Sequence, residues 1–214
     1  MTVNPGRFLT IEGIEGVGKS TQVARLSAAL TARGIAHAVT REPGGTPLAE
    51  RIRDIVLHAR DETMPPAAEL LLMFAARAVH LANLIEPDLR AGRWVVCDRF
   101  TDATYAYQGG GRGMDMHVIQ RLETMVQGER RPDLTVLLDA PVEQALERAR
   151  RRNAGAAADR FESERVEFFE RVRAAYGARA AASPGRIAVI DASQSADRVA
   201  ARILELLEER SWIS

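Results

Sequence analysis

The sequence predicts an α/β fold in which helices cover both faces of a parallel sheet of five strands. Three continuous apolar runs, each ending in a carboxylate, alternate with patterns of helical period; the runs are Trp94–Asp98, Leu134–Asp139 and Ile187–Asp191. Continuous apolar runs are typical of strands buried on both faces. Strands that alternate with helices favour right-handed crossovers and hence a parallel sheet.

The composition predicts a single domain over residues 1–214 with no nucleic-acid or membrane partner. Basic and acidic residues balance at 29 each, which argues against a broad nucleic-acid surface. Cys97 is the only cysteine, so an intrachain disulfide is excluded. No apolar run approaches the ~20 residues of a membrane helix, and the N-terminus shows no signal-peptide pattern. We therefore expect a cytoplasmic protein.

The first strands and helices can be placed from composition and spacing. β-Branched and aromatic residues predict a first strand at 7–12 and a second at His37–Thr40. Between them, apolar residues at helical spacing predict a helix that ends near Gly34. After the second strand, Thr46 and Pro47 are predicted as the N-cap and the first residue of another helix.

Longer helices follow. Two prolines, Pro65 and Pro66, open a helical pattern that Pro87 should kink or interrupt. The remaining helical patterns lie around Met116–Met125, Val142–Arg151, Phe161–Ala182 and Ala196–Glu209.

A phosphate-binding motif lies between the first strand and the first helix. Residues 13–20 match G-x-x-x-x-G-K-[ST], the P-loop, whose glycines let backbone amides face an anion at a helix N-terminus. Lys19 can reach the outer phosphates, and the Ser20 hydroxyl can bind Mg²⁺. We expect ATP or another nucleoside triphosphate to contact Gly13, Ile14, Glu15, Gly16, Val17, Gly18, Lys19, Ser20 and Thr21.

Two carboxylates at strand ends are candidates for a magnesium site. Asp98 and Asp139 each end an apolar run, and the carboxyl ends of parallel strands face the ligand crevice. Either residue could instead be a simple strand terminator. Asp98 is favoured because Arg99 follows it, and an arginine beside the site indicates an anionic acceptor rather than water.

The densest basic cluster lies at 148–152, with Arg160 beyond an Ala-rich stretch. A solvated helix end is one interpretation, because cations there complement the helix dipole. The other is a mobile lid over about 148–161. In that case Arg148 and Arg152, one turn apart on one helix face, would reach the transferring phosphates.

Aromatic and polar side chains could bind a base. Phe74 and Arg77 lie three residues apart, so a base could stack on the ring while the guanidinium meets its carbonyl, although periodicity by itself places Phe74 in the core. Tyr107 and Gln108 precede three glycines that predict a flexible loop. Cys97 is expected to be buried and inert, and the histidines, which lack metal-ligand spacing, are assigned no role.

Several motifs together resemble thymidylate kinase of the bacterial type. Besides the P-loop they are Arg41–Thr46, Asp98-Arg99 and Ala106–Gly113, and matching segments span nearly the whole chain in the family's order. The resemblance implies a P-loop nucleoside-monophosphate-kinase fold. It also implies phosphorylation of dTMP to dTDP, with ATP as donor and Mg²⁺ as cofactor, by a homodimer.

The resemblance implies roles at the base and the sugar. Phe74 would stack on thymine and Arg77 would meet a base carbonyl. Thr104 and Gln108 would contact the base or its surroundings. Tyr107 would crowd the sugar 2′ position, which favours deoxyribose.

Further implied roles concern the phosphates. Glu15 would face the sugar 3′-hydroxyl, and Arg99 would grip the acceptor phosphate in a site that Arg41 also lines. Asp98 would organise Mg²⁺ and its waters.

The lid is the part of the chain that separates branches of the family. Gly16 stands where eukaryotic-type members carry a P-loop arginine. The bacterial type supplies that charge from the lid, where Arg152 matches, and Arg148 is expected to contact ATP. The Ala-rich stretch is longer than in the bacterial pattern, so Arg160 receives no role.

Two alternative functions are also compatible with the sequence. The chain could be another nucleoside-monophosphate or deoxynucleoside kinase on the same fold. It could also be a P-loop switch or a nucleic-acid-dependent ATPase. Phosphorylation of an acceptor separates the kinases from a switch, and the preferred acceptor separates the kinases from each other.

Overall fold

The computed structural model describes residues 6–58, 62–152, 160–161 and 164–214, and of Arg152 only the backbone. Within these residues the strands are β1 (Phe8–Glu12), β2 (His37–Arg41), β3 (Trp94–Asp98), β4 (Leu134–Asp139) and β5 (Ile187–Asp191). They run parallel and form one sheet in the order β2-β3-β1-β4-β5. The predicted number and direction of the strands are confirmed.

The strand order reverses at β1, which places the ligand crevice. The chain adds β2 and β3 on one side of β1 and then crosses to β4 and β5 on the other. Open parallel sheets bind ligands at such a switch point, beyond the carboxyl ends of the strands. The register pairs Ile11 with Asp98 and Glu12 with Leu137, so the carboxyl groups of Glu12 and Asp98 both lie at this edge.

Helices surround the sheet. They are α1 (Lys19–Ala32), α2 (Pro47–His58), α3 (Pro66–His80), α4 (Glu86–Arg90), α5 (Thr101–Thr104), α6 (Met116–Gln127), α7 (Val142–Arg152), α8 (Val166–Ala182) and α9 (Ala196–Glu209). Two π-helical turns, Leu81–Ile85 and Tyr105–Gly111, follow α3 and α5 directly. Helix α1 packs against α9, α3 packs against both α2 and α6, and α8 packs along the second π-helical turn.

The interruption predicted at Pro87 is a widened turn rather than a break. Pro87 lies within α4 and has no N–H to donate, and its ring crowds the carbonyl one turn earlier. The preceding turn, Leu81–Ile85, is π-helical, and this wider turn accommodates the proline without ending the helix.

The continuous helical run from Pro66 to Arg90 corrects one expectation. By length and composition alone this run could cross a membrane, whereas the sequence analysis expected no such segment. Half of its most apolar window is buried inside the protein. The run is therefore a core helix, packed between α2 and α6.

One helix start and one helix cap differ from expectation. Helix α8 begins at Val166 rather than at Phe161. Phe161 is buried and packs edge-on against Tyr107, with ring centroids 5.6 Å apart. Pro47 is the first residue of α2, as predicted. The Thr46 hydroxyl, however, is buried without a hydrogen-bond partner among the described residues, so Thr46 contributes only its carbonyl oxygen to the start of the helix.

The glycine segment predicted as a flexible loop is helical and mostly buried. Residues 109–111 end the second π-helical turn. A Cβ on Gly110 would lie 2.5 Å from the Cβ of Ala175, and one on Gly111 would lie 2.5 Å from the Phe168 ring. The glycines therefore serve close packing against α8, and composition alone could not distinguish that from flexibility.

Candidate active site

The predicted P-loop joins β1 to α1 at the carboxyl edge of the sheet. Gly13, Gly16 and Gly18 have φ values of 132°, 78° and 95°. Residues with a Cβ atom rarely adopt such positive φ values. Gly16 meets a second constraint, because a Cβ there would lie 1.8 Å from the carbonyl oxygen of Ala145 in α7. The loop therefore has no room for a side chain at this position.

Lys19 begins α1 and is buried beneath the loop that precedes it. Its Nζ donates to the carbonyl oxygens of Gly13 (3.1 Å) and Ile14 (2.8 Å). Burial and the nearby Arg99 guanidinium lower the pKa of its ammonium group to about 8, so it remains charged at neutral pH. Ser20, next in the helix, is exposed.

An open pocket of about 220 Å³ extends from this loop along the edge of the sheet. It brings together residues that are distant in sequence. The lining residues that were predicted from the sequence as site residues are Glu15, Gly16, Gly18, Lys19, Ser20, Arg41, Asp98, Arg99, Tyr107 and Gln108. Sequence analysis missed Glu42, Pro43, Arg53, Leu57, Met73, Ala103 and Phe161, which also line the pocket.

Arg99 and Tyr107 converge on Glu15. Arg99 Nη2 donates to Glu15 Oε1 (2.8 Å), and the Tyr107 hydroxyl donates to Glu15 Oε2 (2.6 Å). The Arg99 guanidinium also lies over the Tyr107 ring, 4.8 Å from its centroid. Arg99 has a φ of 71°, a left-handed conformation that costs energy for any residue but glycine. Side-chain pairing and backbone conformation together fix the guanidinium.

Glu12 is a buried carboxyl group that sequence analysis missed. Its Oε1 accepts the Phe100 N–H (2.7 Å), and its Oε2 accepts the Tyr176 hydroxyl (2.7 Å), to which Arg99 also donates (3.3 Å). Burial and the charge of nearby Asp102 raise the pKa of Glu12 to about 8. Glu12 is therefore largely protonated at neutral pH, and its link to Arg99 runs through the Tyr176 hydroxyl. The available signal was a carboxyl residue ending an apolar strand.

A second buried carboxylate, Glu42, holds Arg77. Glu42 Oε2 accepts from Arg77 Nε (2.8 Å), and Oε1 accepts from His80 Nδ1 (3.0 Å). Arg77 Nη2 donates to the Thr104 hydroxyl (2.9 Å), and His80 Nε2 meets the Thr40 hydroxyl (2.7 Å). His80, which sequence analysis left without a role, completes this network. Residue spacing contains no signal for it.

Two buried polar atoms of predicted base-site residues have no hydrogen-bond partner among the described residues. They are Nη1 of Arg77, a donor, and Oε1 of Gln108, an acceptor. The amide of Gln108 is held on its other side, where Nε2 donates to Glu69 (2.9 Å). Buried polar groups are nearly always hydrogen-bonded. Gln108 lines the pocket, whereas Arg77 is fully buried and does not line it. The unpaired acceptor at the pocket and the unpaired donor of Arg77 favour a ligand with complementary groups.

Phe74 packs in the core and does not line the pocket. Its ring lies in a buried cluster with Leu70, Tyr105 and Ile119. The Arg77 guanidinium is 4.9 Å from its centroid, so the two residues expected to act together are in contact. Stacking of a base on this ring stays a prediction.

The two strand-end carboxylates have different surroundings. Asp98 lines the pocket, whereas Asp139 accepts two hydrogen bonds from Arg173 (2.7 and 2.8 Å). Arg41 lines the pocket and forms a partly exposed ion pair with Glu50 (2.8 Å).

The described residues contain no cluster of three or more metal-ligating side chains. Mg²⁺ is commonly bound through one or two protein oxygens together with substrate phosphates. The Ser20 hydroxyl and the Asp98 carboxylate, both on the pocket lining, fit such an ion. Cys97 is buried in β3, as predicted, and burial raises the pKa of its thiol well above the usual value.

The basic cluster is described only in part. Arg148 donates to two backbone carbonyls just after β5 (2.8 and 3.4 Å), and Arg151 forms an exposed ion pair within α7. Helix α7 extends to Arg152. The side chain of Arg152 and residues 153–159 of the predicted lid lie outside the part of the chain that the structure describes.

Known proteins match both the sequence and the architecture. A model of the family described as thymidylate kinase matches residues 11–203. Thymidylate kinase of Chromohalobacter salexigens is 59% identical over 98% of this chain and 100% of its own. Thymidylate kinase of Teredinibacter turnerae is 55% identical over 95% of this chain and 98% of its own. The crystal structure of thymidylate kinase from Ehrlichia chaffeensis matches 95% of this chain and 100% of its own chain, with a TM-score of 0.76. The two sequences are 31% identical.

Glu12→Gln tests the buried carboxyl group. The native state keeps the Glu12 proton up to about pH 8, whereas the unfolded chain releases it near the ordinary pKa of 4.5. Between these values the native state binds more protons, so wild-type stability falls as pH rises, by at most about 1.4 kcal/mol per pH unit. Glutamine cannot ionise and removes this contribution.

Denaturant unfolding of both proteins from about pH 5 to about pH 8 measures the effect. We expect the free energy of unfolding of the variant to rise relative to wild type across this range. A constant difference would show that Glu12 is ionised in the native state.

Proposed function

Because the chain belongs to the thymidylate kinase family, we propose that this pocket transfers the γ-phosphoryl group of ATP to dTMP. ATP-dependent phosphorylation of dTMP to dTDP, a nucleoside-monophosphate kinase reaction, is the activity of this chain. Its P-loop nucleoside-monophosphate-kinase fold agrees with that activity. In the proposal, the P-loop holds ATP, and the side of the pocket with Arg41, Arg99 and Gln108 holds dTMP.

The unpaired donor and acceptor are the observation that most strongly supports thymine as the base. Thymine presents a carbonyl oxygen, O4, beside its N3–H. Arg77 Nη1 can donate to O4, and Gln108 Oε1 can accept from N3–H. Cytosine presents the reverse pattern, an amino donor beside an acceptor nitrogen. It would leave both protein atoms unpaired, at a cost of about 1–3 kcal/mol each.

Two further residues support this edge of the base. The Thr104 hydroxyl accepts from Arg77 and helps to fix the plane of the guanidinium. We include stacking of thymine on Phe74 in the proposal, because its ring lies beside the guanidinium that would contact the base.

We propose that Glu15, Arg99 and Tyr107 bind the sugar and the acceptor phosphate. The Glu15 carboxylate is fixed by Arg99 and Tyr107 and can accept the sugar 3′-hydroxyl. The Tyr107 ring is buried against Phe161 and has little freedom to make room for a 2′-hydroxyl. Arg99 would bind the acceptor phosphate, and Arg41 adds a second cation on the pocket lining.

Ser20 and Asp98 would hold Mg²⁺ together with the ATP phosphates. When bound, the ion neutralises charge on those phosphates. The acceptor is already an ionised phosphate oxygen, so no general base is required. Lys19 and Arg99 would align the reacting groups and neutralise charge on the transferring phosphoryl group.

We further propose that the enzyme acts in the cytoplasm, where ATP is available and the buried Cys97 thiol stays reduced. The balance of 29 basic and 29 acidic residues gives no support to a nucleic-acid partner. The most apolar helical window, half buried in the fold, gives little support to a membrane partner.

A coupled assay with ATP and dTMP, dUMP, dCMP, dGMP or thymidine tests the function. We expect dTMP to be preferred and dUMP, which shares its hydrogen-bonding edge, to exceed dCMP. Lys19→Ala should lower turnover by orders of magnitude without loss of the fold, because it removes the cation nearest the β- and γ-phosphates. A preference for dCMP or thymidine would indicate another kinase, and absence of any acceptor phosphorylation would contradict the function.

Arg152→Ala tests the end of α7. We propose that Arg148 contacts ATP and that Arg152 neutralises the transferring phosphoryl group, since Gly16 leaves no space for a P-loop arginine. An arginine finger contributes on the order of 10³-fold or more to kcat. Arg152→Ala should therefore lower kcat steeply with little change in the KM for dTMP. Arg151→Ala is the control, because Arg151 pairs with Glu147 on the surface. Equal, mild losses would indicate a solvated helix end.

We also propose a homodimer formed through α2, α3 and α6. These neighbouring helices expose the apolar side chains of Leu48, Ile55, Leu71, Met116, Val118 and Met125. Contiguous exposed apolar surface marks interaction sites.

Leu71→Glu should yield monomers in sedimentation experiments, because it would bury an unpaired charge. Val189→Glu, at a residue 56% exposed on β5, is the matched control. A wild-type monomer would contradict the proposal.

A further inference from the structure

We infer that Glu69 is a positioning residue that sets the hydrogen-bonding direction of Gln108 and thereby the base that the pocket selects. The inference rests on the proposed function. Glu69 lies on α3, does not line the pocket, and has a fully buried side chain. None of the sequence motifs above includes it.

Three residues donate four hydrogen bonds to the two oxygens of the Glu69 carboxylate. Gln108 Nε2 donates to Oε1 (2.9 Å). Arg112 donates to both oxygens, through Nε and Nη2, at 3.3 Å each. Arg160 Nη2 donates to Oε2 (3.1 Å). A buried carboxylate is compensated here by two guanidinium groups and one amide.

This arrangement allows Gln108 one orientation. A carboxylate accepts hydrogen bonds and has none to donate, so Gln108 must turn its NH₂ group towards Glu69. The amide oxygen then points away from Glu69. It is the buried Oε1 atom that has no partner among the described residues, and Gln108 lines the pocket. If a neutral amide replaced Glu69, Gln108 could adopt either orientation.

The fixed orientation determines which base edge is accepted. With its oxygen free, Gln108 offers an acceptor that matches the N3–H of thymine or uracil. It opposes the N3 of cytosine, which is itself an acceptor. Glu69 thus contributes to base selection without contacting the base.

Glu164 provides a matched control. It accepts from Arg112, as Glu69 does, but makes no described contact with Gln108. Glu164→Gln therefore disturbs the same arginine without changing the environment of the Gln108 amide. A role of Glu69 confined to anchoring arginines would make both variants behave alike.

Glu69→Gln is the direct test, with kcat/KM measured for dTMP, dUMP and dCMP. Ratios of these constants do not depend on the fraction of protein that folds. We expect the dTMP:dCMP ratio to fall about tenfold, because the amide of Gln108 can now turn over. The dTMP:dUMP ratio and the KM for ATP should not change. Glu164→Gln should leave all three values unchanged.

The double variant E69Q/Q108E exchanges the two side-chain types. Its amide at position 69 can donate to the carboxylate at position 108, whose second oxygen again accepts from N3–H. We expect the dTMP:dCMP ratio to recover relative to Glu69→Gln, which a purely structural role of Glu69 does not predict.

Two results are distinguishable. A Glu69→Gln enzyme that keeps the wild-type dTMP:dCMP ratio, or a double variant without recovery, overturns the inference. A wild-type protein that does not phosphorylate dTMP would instead refute the proposed function.

Discussion

The need to compensate buried carboxyl groups is the constraint on which the site depends. An unpaired buried charge costs several kcal/mol, so each such group must be matched by a cation, hydrogen bonds or a proton. Glu12 is compensated by its proton, because burial raises its pKa to about 8. Arginine compensates other buried carboxylates, among them Glu42, Glu69 and Asp102.

These pairs do more than offset the burial of charge. Arginine has five donors in a rigid plane, so a carboxylate that binds one edge fixes the direction of the others. Glu42 binds Arg77 through Nε, which leaves Nη1 without a described partner. Arg99 is fixed in a comparable way by Glu15, Tyr176 and its own backbone conformation. Phosphoryl transfer depends on alignment and charge more than on covalent chemistry. Guanidinium groups whose orientation is already fixed are therefore well placed to align the phosphates.

Most of the fold could be predicted because its signals are local. The buried strands are continuous apolar runs, and the P-loop has a short fixed spacing. The errors arose where distant parts of the chain meet. Phe161 lies before α8 and packs on Tyr107, and residues 109–111, predicted as a loop, pack closely against α8. Glu12, Glu69 and His80 were missed for the same reason: their partners lie far away in sequence.

The Arg41–Thr46 motif shows how such distant demands become visible in a sequence. By composition it is only a turn, yet a Cβ on Gly45 would lie 2.3 Å from Thr40 Oγ1 and 2.4 Å from His80 Nε2. Glycine is therefore required at this position by the network that holds Glu42 and, through it, Arg77. The motif is adjacent to the pocket, but at Gly45 its identity is set by the layer of residues behind the pocket. If Arg77 contacts the base as proposed, the orientation of its guanidinium constrains residues that do not line the pocket.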